Sequence, residues 1–358
     1  MVEFSQDQLT VYDGVKNFLD SSTPGHVVYE GLAGTGKSTL MARLAGEYDQ
    51  AVLCSYTAKA ASGLRAKTGL EVFTIHQIIY DFKGLIDSDE NPNKKRPVFS
   101  TKHMTGALEN ALLFIDEVSM VGSKIGRDLA DTGARIVACG DPGQLPPVMD
   151  NQYFTQSDYT LHEVHRQAWD SPIIRQAHSI RNFGTYESDG DVIVTADMND
   201  DLLGQHDIAL CWKNKTRNWL NKRTRGLYGR PAGYMLAGEP VMCLKNDHWR
   251  KIYNGAMYNI TQDYHPGDDL HIRDELNRYI VVACPTIEGI DPDYENFRYL
   301  DDARPFAPGY ACTVHKAQGS EWGRVLLIDE YRQTDGRNAY LYTGLTRAIS
   351  AATVIKRW

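Results

Sequence analysis

Short apolar runs bounded by glycine, threonine or acidic residues recur through the first 140 positions: HVVYE (26–30), AVLCSY (51–56), ALLFID (111–116) and RIVACGD (135–141). Runs of this length, rich in β-branched and aromatic residues, predict buried strands. Helix-length segments separate them, such as STLMARLAGEY, in which Leu40 and Leu44 share one face. Strand and helix in alternation predict an α/β fold, a parallel sheet wrapped by helices with ligands gathered beyond the carboxyl ends of the strands. A second α/β unit is predicted to open at DIALCW (207–212) and to resume after residue 310 with RVLLIDE, AYLYTGLTRA and ATVIKRW. Between Gly238 and Pro308 the pattern changes to alternating, turn-rich segments (EPVMCLK, AMYNITQDY, DLHIRD, RYIVVAC), with Asn254-Gly255 and Pro266-Gly267 as turn signals. That change predicts a small inserted β-barrel.

The expected division is therefore residues 1–165 for the first domain, 166–238 with 309–358 for the second, and 239–308 for the barrel. An insertion at 80–108 holds KGLIDSDENPNKKRPVF, two short segments around the turn-prone DENPN. It reads equally as a projecting hairpin or a surface loop. At 358 residues and 42% hydrophobic content the chain can bury several cores. Its start lacks a basic stretch followed by an apolar one, and no run of eighteen apolar residues occurs, so a soluble cytoplasmic protein without a membrane partner is expected. Cys54, Cys139, Cys211, Cys243, Cys284 and Cys312 are widely spaced, without ligand spacing for zinc, and are expected as reduced, buried strand residues.

The net charge of −8 argues mildly against a nucleic-acid partner, but the charges are segregated. Seven basic residues and no acidic one lie between Lys213 and Arg230, while Glu187 to Asp207 is dense in aspartate. If the basic run is helical, Lys213, Arg217, Asn221 and Arg225 repeat on one face that could follow a phosphate backbone, or that could simply be solvated.

GLAGTGKS (31–38) fits G-x-x-x-x-G-K-[ST] between a predicted strand and a predicted helix. Gly31, Gly34 and Gly36 let backbone N–H groups face phosphate. Lys37 supplies charge at the outer phosphates, and Ser38 offers a hydroxyl to Mg²⁺. Thr35 and Thr39 complete the loop that would hold ATP. Asp116 and Glu117 emerge from the strand ALLFID at the same sheet edge. Asp116 would hold Mg²⁺ and Glu117 would orient and deprotonate the attacking water. GDPGQLPPV (140–148) follows the next strand and holds Gln144 in a proline-stiffened turn, from which an amide could meet the γ-phosphate or the water. LHEVHR (161–166) has HExH rather than HExxH spacing, so no metal besides Mg²⁺ is expected.

In order along the chain, Gln8, GLAGTGKST, YTAKAA (56–61), FTIHQII (73–79), FIDEVSMV (114–121), GDPGQLPPV, the HRQ of 165–167, YACTVHKAQGSEW (310–322) and LYTGLTRA (341–348) form a series. By that series the chain resembles the superfamily 1 DNA helicases of the 5′→3′ branch, particularly the RecD-like and Dda-like enzymes of bacteria and phages. The resemblance implies two RecA-like P-loop motor domains, an SH3-like inserted barrel, and movement along single-stranded DNA driven by ATP hydrolysis. It implies that Gln8 recognises adenine and that Arg166 and Arg347 reach the γ-phosphate from the second domain. Gln318, Gly319 and Glu321 would couple nucleotide to DNA. Thr57, Lys59, His76, Thr313, His315 and Lys316 would line the single-strand track. Phe99, in the short insertion, is the candidate wedge at a forked duplex. The implied partners are single-stranded and forked DNA, with single-strand-binding or replication and recombination proteins as further candidates, and a monomer is expected to suffice. Two rivals stay open: an RNA or RNA–DNA translocase, and a nucleotide-switched binding or loading module that does not travel.

Overall fold

In the computed structural model the described residues are 4–356, without 22, 89–90, 102–107, 148–149, 248–249, 251, 276 and 299–302. The side chains of 58, 81–101 and 166–167 also lie outside the described set. The first half of the chain forms β1 (Gly25–Gly31), β2 (Ala51–Ser55), β3 (Val72–Thr74), β4 (Tyr80–Ser88), β5 (Asn91–Thr101), β6 (Leu112–Asp116), β7 (Arg135–Gly140) and β8 (Tyr159–Leu161). Six of these pair in parallel in the order β3-β2-β6-β7-β1-β8. Both faces of this sheet are covered, as a parallel sheet requires. Val27 and Tyr29 enter one core with Leu40 and Leu44, while Val28 between them enters another with Ile115 and Ala138. The covering helices are α1 (Gln6–Asp20), α2 (Lys37–Ala45), α3 (Ala58–Thr68), α4 (Ile75–Ile79) and α5 (Ser123–Ala130). Strands β4 and β5 form a separate antiparallel hairpin, with Phe82 opposite Phe99 in register.

The chain continues through α6 (Arg166–Trp169), α7 (Pro172–Phe183), β9 (Val192–Thr195), α8 (Asp200–Gly204), β10 (Ile208–Cys211) and α9 (Asn214–Leu227). It then enters β11 (Pro240–Cys243), β12 (Met257–Ile260), β13 (Leu270–Arg273), β14 (Tyr279–Val282), β15 (Pro285–Ile287), α10 (Tyr294–Phe297) and β16 (Arg304–Pro308). It ends with β17 (Ala311–Thr313), α11 (Val314–Ala317), β18 (Trp322–Asp329), α12 (Arg337–Leu345) and β19 (Ala348–Lys356). A second parallel sheet has the order β17-β10-β18-β19-β9. Helices α7 and α12 cover one of its faces, burying Ile173, Ala177, Ile180, Leu341 and Leu345 with Leu210, Leu327 and Val354. The inserted segment makes a sheet ordered β14-β13-β12-β11-β16-β15, antiparallel except for the β15–β16 pair. Its alternating residues share one core, including Val241, Tyr258, Ile272, Val282 and Phe306. Among the described residues the ladder ends at β14 and β15, and no pairing joins those edges.

Two expectations are corrected. Arg217, Asn221 and Arg225 do share a face of α9, but it is the packed face. Arg225 forms an ion pair with the fully buried Glu239, with Nε–Oε2 at 2.8 Å, and donates to Tyr234 O at 2.7 Å. Arg217 is tied to Glu288. An arginine spaced like a ligand contact is here a buried counter-ion, because the inserted sheet brings carboxylates against the helix. The exposed face of α9 carries Lys215 and Lys222 instead. Cysteine usage differs at one position: all six are free thiols, but Cys284 is exposed, in a turn with φ +48° between β14 and β15.

Candidate nucleotide and nucleic-acid site

Strand β1 delivers the chain to the loop at residues 31–36, and α2 leaves it at Lys37. Gly36 is the N-cap of α2 with φ +80°, a conformation open to glycine at little cost. A Cβ there would stand 2.4 Å from Gln8 Nε2 and 2.7 Å from His165 Nε2. Gly34 also has positive φ, at +87°. Its Cα is turned to the segment that leads into the second unit: a Cβ there would stand 3.0 Å from Ala168 Cβ, 3.1 Å from Val164 Cγ1 and 3.3 Å from Ile174 Cγ2. Its carbonyl accepts the His165 N–H at 3.1 Å. Gly34 thus lets the loop turn and pack closely against residues 164–174, and protein rather than open space lies beside it. The loop is pinned from inside as well: Thr35 is buried and its hydroxyl donates to Leu32 O at 2.9 Å, whereas Thr39 is exposed on the first turn of α2. Lys37 Nζ donates to Leu32 O at 2.9 Å and lies 3.6 Å from Asp141 Oδ2. Burial works against its charge, yet Asp141 and the acid pair beyond it raise its pKa overall.

Ser38 Oγ donates to Asp116 Oδ2 at 3.3 Å, so hydroxyl and carboxylate adjoin at the end of β6. Glu117 follows in the left-handed region at φ +59°, rare for a residue with a long side chain and found mostly at functional sites. Burial raises the Asp116 carboxyl. It pushes Glu117 up to about 6, against the opposing charge of Arg347.

Gln8 is buried at the start of α1. Its Oε1 accepts from Ser5 N in a capping box, and its Nε2 donates to Thr35 O at 3.2 Å and meets His165 Nε2 at 2.8 Å. The amide is thus fixed against the phosphate loop by protein groups. Next to it a cavity of about 610 Å³ is lined by Thr35, Leu161, Trp169, His178 and Asn182, and so lies between the two sheet units.

The second unit reaches the loop directly. Tyr342 on α12 accepts the Ala33 N–H at 2.6 Å and donates to Asp141 Oδ2 at 2.8 Å. Leu145 N donates to Thr343 Oγ1 at 2.9 Å, and Gln318 Nε2 donates to Leu145 O at 2.9 Å. Gln144, between these anchors, is buried with its Oε1 unpartnered. Arg347 is buried, donating to Thr343 O, Ser320 O and Thr346 Oγ1. Gly319 and Glu321 face α3 rather than the phosphate loop: a Cβ on Gly319 would stand 2.4 Å from Ala60 Cβ, and Glu321 pairs with Lys67 at 2.8 Å. Arg166 opens α6, and its side chain lies outside the described set, as does that of Phe99.

A second group of predicted residues gathers where α3, α11 and the inserted sheet meet. Thr57 caps α3, accepting from Ala60 N at 3.1 Å. Lys59, in the first turn of α3, is ion-paired with Glu275 of the insert. His76 lies between Tyr56 and Tyr80, with ring centroids at 6.2 and 5.6 Å. Thr313 precedes α11. His315 packs on Trp212 at 4.7 Å, and burial lowers its pKa. Lys316 donates to Asn254 Oδ1 at 2.6 Å, and burial together with Arg217 brings its pKa down to about 8. A cavity of about 340 Å³ adjoins this group, lined by Lys59, Arg65, Gln77, Tyr253, Tyr258 and Arg278. Lys213, at the N-cap of α9, is exposed, and its backbone N–H is held by Glu330.

Sequence reasoning missed Asp141, His165 and Tyr342. All three lie inside segments already singled out, GDPGQLPPV, HRQ and LYTGLTRA, but nothing in their type or spacing reveals which partner each meets.

Comparison with known proteins agrees with this geometry. Residues 5–195 match a family model described as an AAA domain, and residues 308–355 match a UvrD-like helicase C-terminal domain. The ATP-dependent RecD2 DNA helicase of Deinococcus radiodurans is 30% identical over 384 residues, covering 96% of this chain and 48% of that protein. The ATP-dependent DNA helicase dda of Enterobacteria phage T4 is 30% identical over 175 residues, 44% of this chain and 38% of that protein. The chain thus spans about half the length of the RecD2 relative. A solved structure of Pif1 helicase on forked double-stranded DNA superimposes with TM-score 0.63 at 20% identity, over 99% of this chain and 92% of that one.

Proposed function

The chain belongs to the AAA-domain family of superfamily 1 helicases, the RecD, Dda and Pif1 kind, and on that premise we propose that it is an ATP-driven single-strand DNA translocase and helicase moving 5′→3′. One observation carries the proposal. Tyr342 and Thr343 of the second unit are hydrogen-bonded to Ala33, Asp141 and Leu145 around the phosphate loop of the first, which supports hydrolysis and relative motion of the units being one event.

In this reading residues 1–165 are one motor domain, and 166–238 with 309–358 are the other. Residues 239–308 form an SH3-like barrel, for which the shared core of the inserted sheet is the support. ATP is the substrate. Its phosphates meet the amides of the 31–38 loop, Lys37 and the N-terminus of α2. Gln8, held by Thr35 and His165, orients the base. The oxygen donors Ser38 Oγ and Asp116 Oδ2 suit Mg²⁺, a hard cation that uses one or two protein ligands and phosphate. Bound there, it neutralises phosphate charge. Glu117 takes the proton of the attacking water, and the unpartnered Gln144 Oε1 accepts from that water, while the amide N–H is the group that would donate to the γ-phosphate. Arg166 and Arg347 counter the charge developing on the transferred group. Thr57, Lys59, His76, Thr313, His315 and Lys316 contact the strand, with Lys213 at the margin. Phe99, opposite Phe82 in the β4–β5 hairpin, is the wedge at a fork.

The test is ATP turnover with and without a single-stranded oligonucleotide, comparing DNA with RNA, in the native chain and in K37A. Stimulation by DNA that vanishes in K37A supports the reading. Turnover indifferent to single strands would reduce the protein to a nucleotide-switched binding module.

A further inference from the structure

Tyr342 is fully buried at the interface of the two sheet units, and its hydroxyl has one hydrogen to give. It gives that hydrogen to Asp141 Oδ2 at 2.8 Å and accepts the phosphate-loop N–H of Ala33 at 2.6 Å. Asp141 Oδ2 is the same oxygen that faces Lys37 Nζ at 3.6 Å, and Asp141 Oδ1 accepts the Gly143 N–H at 2.9 Å. The ring fills the space beside Gly143, where a Cβ would approach Tyr342 Cε1 to 2.7 Å. On the same helix Thr343 holds Leu145, and its carbonyl accepts from Arg347 Nε at 3.1 Å. One turn of α12 therefore grips the phosphate loop and the Gln144 loop, and holds Arg347.

We propose that the Tyr342 hydroxyl is a positioning group that couples phosphate binding to the second motor domain, acting through Asp141 on Lys37. This rests on the reading of the protein as a two-domain ATP-driven motor. When Lys37 turns from Leu32 O toward phosphate, the charge it shared with Asp141 is withdrawn, and the hydrogen bond from Tyr342 becomes the main demand on that carboxylate. The loop and α12 then respond together. Burial holds the phenol well above its ordinary pKa, so it remains a donor throughout.

Steady-state ATP hydrolysis on saturating oligothymidylate tests this in the native chain, Y342F, D141N and the double variant, with thermal melting of each. Y342F keeps the ring and is expected to melt within a few degrees of the native chain. Its kcat is expected to fall about tenfold with KM for ATP within twofold, as for a group that acts after binding. Because hydroxyl and carboxylate act in series, the double variant should be no slower than the slower single variant. Native kcat in Y342F would overturn the proposal, and so would losses that multiply in the double variant. If Y342F failed to fold, native kcat in folded D141N would overturn it equally. A native chain that hydrolyses ATP without stimulation by DNA instead refutes the motor reading, which keeps the two failures apart.

Discussion

At the scale of single residues, Glu117 carries the largest burden. In the general-base role proposed for it Glu117 must be ionised, so kcat/KM should be level above pH 7 and fall about tenfold per pH unit below about 6, the pKa to which burial brings this carboxyl. E117Q should lower kcat by about 10²- to 10⁴-fold and remove that limb of the pH profile. The same shift has a stability consequence. A carboxylate whose folded pKa is raised adds stability at low pH and loses it as pH rises through the folded value. E117Q should therefore melt above the native chain at pH 8, and the difference should shrink below about pH 4.5, the ordinary value for this side chain. Melting curves at the two pH values check it. Lys316 titrates from the other side. In the strand contact proposed for it, its ammonium, lowered to about 8, should bind phosphate less strongly as pH passes that point, so single-strand affinity measured by anisotropy should fall between pH 7 and 9 and do so less in K316A.

At the scale of elements, α9 separates exposed charge from charge that holds the fold. Arg225 and Glu239 are both buried, and removing one partner strands the other, at a cost of about 3–5 kcal/mol. R225A should lower the melting temperature sharply, whereas alanine at the exposed Lys215 and Lys222 should leave melting unchanged. Thermal unfolding decides between them. The helix itself was legible from its spacing, but not its orientation. The period locates Arg217, Asn221 and Arg225 on one stripe, while the carboxylates that bury that stripe, Glu239 and Glu288, come from the insert further along the chain. The strands of both parallel sheets were legible for the opposite reason: runs such as ALLFI are apolar on both faces, so no partner need be known to locate them.

At the scale of the whole molecule, each half of the nucleotide site was readable as a motif and the join between them was not. Gly31, Gly34 and Gly36 with Lys37 and Ser38 identify a phosphate loop locally, because backbone geometry dictates them. What Gly34 packs against was not legible, since Val164, Ala168 and Ile174 lie far along the chain. Tyr342 meeting Ala33 spans 309 positions, and only the folded chain brings them together. That join makes domain movement and ATP turnover inseparable in this reading, and it predicts directed travel along a strand. The decisive measurement is unwinding of forked duplexes that carry only a 5′ or only a 3′ single-stranded tail, with ATP and Mg²⁺ and with K37A as control. The 5′-tailed substrate should be unwound and the 3′-tailed one spared, with no unwinding by K37A. Preference for the 3′ tail, or strand separation that persists in K37A, would contradict a 5′→3′ motor driven from this site.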